Sequence, residues 1–139
     1  MDTRELGNLG EKLACEYLVE KGFNILGKNY TVPTGRQGII WGEIDIIAKK
    51  KFKLFSKNDK IIHFVEVKTI LSSLKGGFYP EDRVNYKKQK KLRQLSEIWL
   101  KNNRLKENHP YQIDVVGVTM SNNFKDSKID YFENIVSDV

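Results

Sequence analysis

Residues 61–69 read Ile-Ile-His-Phe-Val-Glu-Val-Lys-Thr, and residues 42–48 read Gly-Glu-Ile-Asp-Ile-Ile-Ala. Both runs are short and rich in β-branched residues, so they predict strands. Side chains alternate across a strand. In the first run Ile61, His63, Val65 and Val67 fall on one face, and Ile62, Phe64, Glu66 and Lys68 on the other. In the second run Asp45 falls with Glu43 and Ile47, opposite Ile44, Ile46 and Ala48. Strands consecutive in sequence are neighbours about two-thirds of the time. The pattern therefore carries Asp45 toward Glu66.

Outward from this pair, Leu6, Leu9, Leu13, Tyr17 and Leu18 recur at helical spacing, predicting a helix over residues 3–22 that Gly22 stops. Residues 23–30 suit a strand. Residues 31–41 hold Pro33, Gly35 and Gly38 and predict a long loop. Residues 49–60, polar around Phe52, Leu54 and Phe55, make a long hairpin connection, and residues 71–79, with Gly76 and Gly77, a further loop. Pro80 suits the first turn of a second helix, with Glu81 and Asp82 at the favourable end of its dipole. That helix is expected to reach about Lys106, with Val84, Leu92, Leu95, Trp99 and Leu105 inward. Residues 111–120 predict a strand and residues 129–132 an edge strand. The order is α-β-β-β-α-β. One α/β domain over residues 1–139 follows, a mixed central sheet with flanking helices.

Composition narrows the class. A single cysteine, Cys15, excludes an internal disulfide framework and a four-cysteine zinc site. No run approaches ~18 consecutive apolar residues, and the polar start lacks the pattern of a signal peptide. The expectation is a cytoplasmic protein with no membrane partner. Lys and Arg number 24 against 18 Asp and Glu, a net charge of +6. That excess favours polyanionic partners, nucleic acid first. Five of the positive charges, Lys87, Lys88, Lys90, Lys91 and Arg93, gather on the second helix, where they would follow a phosphate backbone without reading sequence. A solvated helix face is the plainer account of the same charges. His63 lies opposite Glu66, and His109 precedes Pro110 in a turn, so neither builds a histidine metal site.

Two carboxylates about 5 Å apart repel by roughly 3 kcal/mol at an effective dielectric near 20. A divalent cation with hard oxygen ligands cancels that repulsion. Such an ion also polarises a phosphoryl oxygen and lowers the pKa of an attacking water. A neighbouring lysine orients the water or stabilises developing negative charge. An acid on one strand with Glu-x-Lys on the next is thus an arrangement for metal-assisted phosphodiester hydrolysis. The solvated face of a half-exposed sheet is the competing reading. Two other stretches imitate the pattern. Asp126-Ser127-Lys128 has the spacing but lies in a polar surface stretch, and Ile113-Asp114 repeats Ile44-Asp45 with no Glu-x-Lys strand after it.

Several short motifs occur in order along the chain. Gly10-Glu11, Ala14, Leu18, Gly22-Phe23, Ile25-Leu26 and Asn29-Tyr30 open it; Gly42-Glu43-Ile44-Asp45 and Phe64-Val65-Glu66-Val67-Lys68 form the centre; Pro80, Val84, Lys88-Gln89 and Asp114-Val115-Val116 follow. Jointly they resemble the YraN-like family of small bacterial proteins, a resolvase-like branch of the PD-(D/E)xK nuclease superfamily. The resemblance implies a restriction-endonuclease-like fold with Mg²⁺ or Mn²⁺ at Asp45 and Glu66, the Val67 carbonyl as a third ligand, and a catalytic Lys68. It also implies supporting roles for Glu11 on the first helix and Gln89, or Lys88 beside it, on the second. The expected function is a metal-dependent endonuclease acting on structured or branched DNA. The alternative is a nuclease-fold module that binds DNA without cutting it, and a weaker third is a basic surface docking acidic protein or lipid. Junction resolution would take two coordinated cuts and hence a homodimer. Ile70 departs from the family, which commonly carries arginine there, and the connections over residues 31–41 and 49–60 are longer than usual.

Overall fold

The computed structural model describes residues 1–52, 59–72 and 84–135. The elements run α1 (Thr3–Glu20), β1 (Phe23–Pro33), β2 (Ile40–Lys50), β3 (Ile62–Leu71), α2 (Tyr86–Asn102), β4 (Tyr111–Met120) and β5 (Ser127–Phe132). The chain is a mixed α/β domain with the plan of restriction-endonuclease-like proteins. Its five strands lie in sequence order, antiparallel except for the parallel pair β3–β4, which α2 connects.

Local chemistry sets the ends of the helices. Asp2 caps α1 in a capping box: Glu5 N–H donates to Asp2 Oδ1 at 2.8 Å, and Asp2 N–H to Glu5 Oε2 at 3.1 Å. Beyond it Gly22, at φ 95°, supplies the left-handed turn that releases the chain into β1. The second helix is shorter than its periodicity suggested. Asn85 caps it, accepting from Lys88 N–H at 2.9 Å, and Arg104 turns left-handed at φ 59°, so the helix ends at Asn102 rather than near Lys106. Pro80, Glu81 and Asp82 lie outside the described residues, as do Leu54, Phe55, Gly76 and Gly77.

The loop expected over residues 31–41 is mostly strand. Pairing of β1 with β2 continues to Pro33↔Ile40. Proline is tolerated there because β1 is an edge strand. The turn itself is short, closed by Thr34 N–H to Ile39 O at 3.2 Å, with Gly35 and Gly38 taking the positive φ values. The glycines signalled a tight turn, whereas β-branched Thr31, Val32 and Ile40 lengthened the ladder around it.

Each helix covers one face of the sheet. Ala14 and Leu18 of α1 pack with Phe23, Ile46, Ala48, Val65, Val116 and Val118. Leu92, Leu95 and Leu100 of α2 pack with Ile44, Ile47, Phe64, Ile113 and Val115. Trp99 and Leu105 are half-buried against the second layer. In β3 the predicted alternation holds. In β2 it breaks: Ile44 lies in the α2 layer and Ile46 in the α1 layer, although two residues apart. The expectation that Ile44, Ile46 and Ala48 share a face is therefore corrected, and so is the grouping of Ile47 with Asp45. The break falls at Asp45.

One buried polar cluster crosses the sheet. Asp114 of β4, fully buried, accepts from Tyr131 OH at 2.6 Å, His63 Nδ1 at 2.7 Å, and Gln112 Nε2 and Asn134 N–H at 2.8 Å each. The histidine facing away from Glu66 is thus an internal partner of Asp114.

Candidate active site

The site begins where two strands part. The β2–β3 ladder runs from Lys49↔Ile62 to Ile46↔Val65. The next connection is made by a side chain, with Asp45 Oδ2 accepting from Val67 N–H at 2.8 Å. The β2–β3 pairing stops one residue short of Asp45, and the Asp45 carboxylate takes the place of a backbone acceptor there. A residue in a strand directs its N–H and C=O to the same side, so the Val67 carbonyl faces this opening as well.

Three elements deliver acids to it. Glu66 arrives from β3 and interacts directly with Asp45. Glu43 arrives from β2, and Glu11 from α1. Glu11, Glu43 and Asp45 each hold a carboxylate oxygen within 4.8 Å of the other two. Close packing of α1 places Glu11: a Cβ at Gly10 would overlap Thr69 Oγ1, so glycine there lets the helix lie on β3. Gly42 does the same for the opposite helix, since a Cβ would fall 2.9 Å from Leu95 Cδ1. A pocket of about 240 Å³ opens between α1 and the strands, lined by Glu11, Asn29 and Asp45 with Lys12 and Lys28 at its sides.

The electrostatics follow from this crowding. Burial, then Asp45, pushes Glu66 up to about 7, against the opposing pull of Lys88 and Lys68. Asp45 is also raised, by burial first and the Glu43 charge next, although the Val67 N–H, Lys88 and Glu66 hold it down. Glu11 is raised by burial and then by Asp45 and Glu43, with Asn29 opposing. Carboxyls that each oppose the ionisation of the others are a donor set short of positive charge. Hard oxygens in this number suit Mg²⁺ or Mn²⁺, so the residues fit the ion the sequence implied.

The sign of the Glu66 shift makes a prediction. Its pKa is higher folded than the ordinary 4.5, so ionising it costs stability as pH rises from 4.5 to about 7. In EDTA, Glu66→Gln should match wild type at pH 4 and melt roughly 5 °C higher at pH 8, a gain of about 2 kcal/mol. A melting difference independent of pH would contradict it.

The cations of α2 do not act as one face. Lys88 Nζ lies 3.7 Å from Glu66 Oε1. Gln89 instead donates Nε2 to Val84 O at 2.8 Å, securing the start of the helix. Lys91 Nζ stands over the Trp41 ring, 5.3 Å from its centroid, and Arg93 turns to Tyr111. Lys87 and Lys90 are exposed. Glu43 and Asn29 belong to the site although neither stood out in the sequence as a site residue. Glu43 carried a usable signal, two positions before Asp45 on one strand. Asn29 carried none beyond its motif, because its place depends on a left-handed backbone at φ 50°.

The mixed α/β fold, with its five strands and two helices in this order, is consistent with a restriction-endonuclease-like plan. Residues 10–118 match the model of a family described as Uncharacterised protein family UPF0102, and the chain belongs to that family. It is 40% identical over 130 residues to a UPF0102 protein of Thermodesulfovibrio yellowstonii, covering 94% of each chain. A UPF0102 protein of Clostridioides difficile is 42% identical over 118 residues, 85% of this chain and 88% of its own. One from Caldicellulosiruptor bescii is 34% identical over 138 residues, 99% of this chain and 98% of its own. Glu11, Asn29, Glu43, Asp45, Glu66 and Lys68 all fall inside the matched span. No helix among the described residues is long and apolar enough to cross a membrane.

Proposed function

We propose that this protein is a metal-dependent endonuclease that hydrolyses phosphodiester bonds in DNA, with structured or branched DNA as its favoured substrate. The observation that carries the reading is the parted ladder at Asp45, where carboxyls from three elements converge with raised pKa values. Asp45, Glu66 and the Val67 carbonyl would hold Mg²⁺ or Mn²⁺, which supplies Lewis-acid activation of the phosphoryl group and a more acidic bound water. Lys68, two residues from Glu66 on the same strand, keeps positive charge beside the acids and orients the attacking water. Glu11 closes the α1 side.

The test is cleavage of branched, nicked and linear DNA with Mg²⁺ or Mn²⁺ by wild type and by Asp45→Ala, Glu66→Ala and Lys68→Ala. Cleavage retained by all three variants would end the enzyme reading. A binding module that does not cut is the second reading, favoured by Lys88, which already neutralises part of the acidic cluster. Tight, salt-sensitive binding without cleavage would select it.

Binding has its own prediction. Lys87 and Lys90 are the exposed cations of the α2 cluster. Replacing both with alanine should flatten the plot of log affinity against log salt by about 0.9 for each phosphate no longer neutralised. An unchanged slope would leave these lysines as plain solvated surface.

A further inference from the structure

Asn29 and Asp45 stand opposite each other between the pairs Lys28↔Ile46 and Tyr30↔Ile44, and each departs from the regular strand pattern. Asn29 is left-handed at φ 50°, while β2 changes core layer at Asp45. A left-handed non-glycine residue within a strand is uncommon, and such conformations gather where function over-determines the backbone. The amide of Asn29 shows what the turn achieves. Its nitrogen faces the acids, since an oxygen there would meet only other acceptors. It donates to Glu11 Oε2 at 3.1 Å and to Glu43 Oε1 at 3.0 Å. One side chain on β1 therefore ties an acid of α1 to an acid of β2.

We propose that Asn29 is a positioning residue, a neutral clamp that fixes Glu11 and Glu43 beside Asp45 in the geometry a divalent cation requires. This rests on the metal-dependent reading above. The neutrality matters. A lysine at this place would also bridge the two acids, but it would cancel the charge that attracts a cation. An amide holds the geometry and leaves the negative charge of all three carboxylates to draw the ion to Asp45 and Glu66. Two N–H donors from one planar group also fix the separation of the two acids, as partners behind metal ligands do elsewhere, where removing them typically costs about 10–100-fold in affinity.

The test uses Mn²⁺ alone as probe, titrated calorimetrically into the full chain. Asn29→Gly keeps the left-handed backbone, which glycine adopts without strain, and deletes only the amide. Its Mn²⁺ dissociation constant should rise about 10-fold or more over wild type. In a Glu11→Ala, Glu43→Ala background the same substitution should change nothing further, because the acceptors through which Asn29 acts are gone. Equal Mn²⁺ affinity in wild type and Asn29→Gly would overturn the proposal. An equal loss in the background without the two acids would overturn it as well. If wild type binds no Mn²⁺, the metal-dependent reading fails, and the clamp is judged by melting in EDTA. Shifts for Asn29→Gly and Glu11→Ala that simply add would overturn it, and non-additive shifts would sustain the clamp itself.

Discussion

Asparagine or alanine at Asp45 will lower phosphodiester cleavage by about 10³-fold or more, whereas DNA affinity measured in EDTA will stay level or tighten. The two variants separate the jobs of one carboxylate. Asp45 accepts the Val67 N–H where the β2–β3 ladder ends, and it also faces Glu66 and Glu43. Alanine loses both roles and leaves a half-buried N–H without its acceptor, at a cost of about 1–3 kcal/mol. Asparagine retains an oxygen for Val67 and loses only the charge. Cleavage should therefore vanish in both, while stability should fall chiefly in Asp45→Ala. Lys68→Ala should be nearly as inactive, since its charge balances Glu66. Affinity moves the other way because each acid removed is one fewer repulsion against an incoming phosphate. Gel-based cleavage with Mg²⁺ and a binding titration in EDTA read the two effects apart. An Asp45→Asn protein that cuts within tenfold of wild type would sink the proposed chemistry.

How much of this was legible depended on whether a signal was periodic or geometric. The strands around Asp45 and Glu66 could be read because β-branched runs with alternating faces have few other solutions. The convergence of those two acids followed from adjacency alone. The parting of the ladder could not be read, because a residue that breaks alternation looks like any other in a β-branched run. Alternation alone places Ile44 and Ile46 on one face, although they lie in different layers. Asn29 was hidden for the same reason, its function residing in a φ of 50°. The five cations of α2 looked like one surface, but helical geometry spreads positions 87, 88, 90, 91 and 93 around the axis at about 100° per residue. Lys88 therefore turns to Glu66 and Lys91 to Trp41.

Asp45 and Asp114 each follow an isoleucine on a strand, and these two aspartates should answer pH in opposite directions. Asp114 is fully buried, and burial alone would raise its pKa. Hydrogen bonds from His63, Asn134 N–H and Tyr131 outweigh that and hold it below the ordinary 3.8. A depressed folded pKa contributes stability above the unfolded value and loses it as pH falls through the folded one. Asp114→Ala removes the acceptor for four donors and leaves His63, Tyr131 and Gln112 without their partner. The expected loss is about 3–5 kcal/mol, enough to lower the melting temperature by roughly 10 °C or more. An unfolding free energy from urea titration that falls by less than about 1 kcal/mol would show that the cluster is not holding β3, β4 and β5 together. Around Asp45, donors are too few for the acids present, and Glu66 stands near 7. Its ionisation opposes folding as pH rises from 4.5. The cation-free protein should accordingly be most stable at about pH 5, where Asp114 is fully ionised and Glu66 largely protonated. Mg²⁺ should stabilise it at pH 8 and have little effect at pH 5, because the ion binds the form in which the acids have lost their protons.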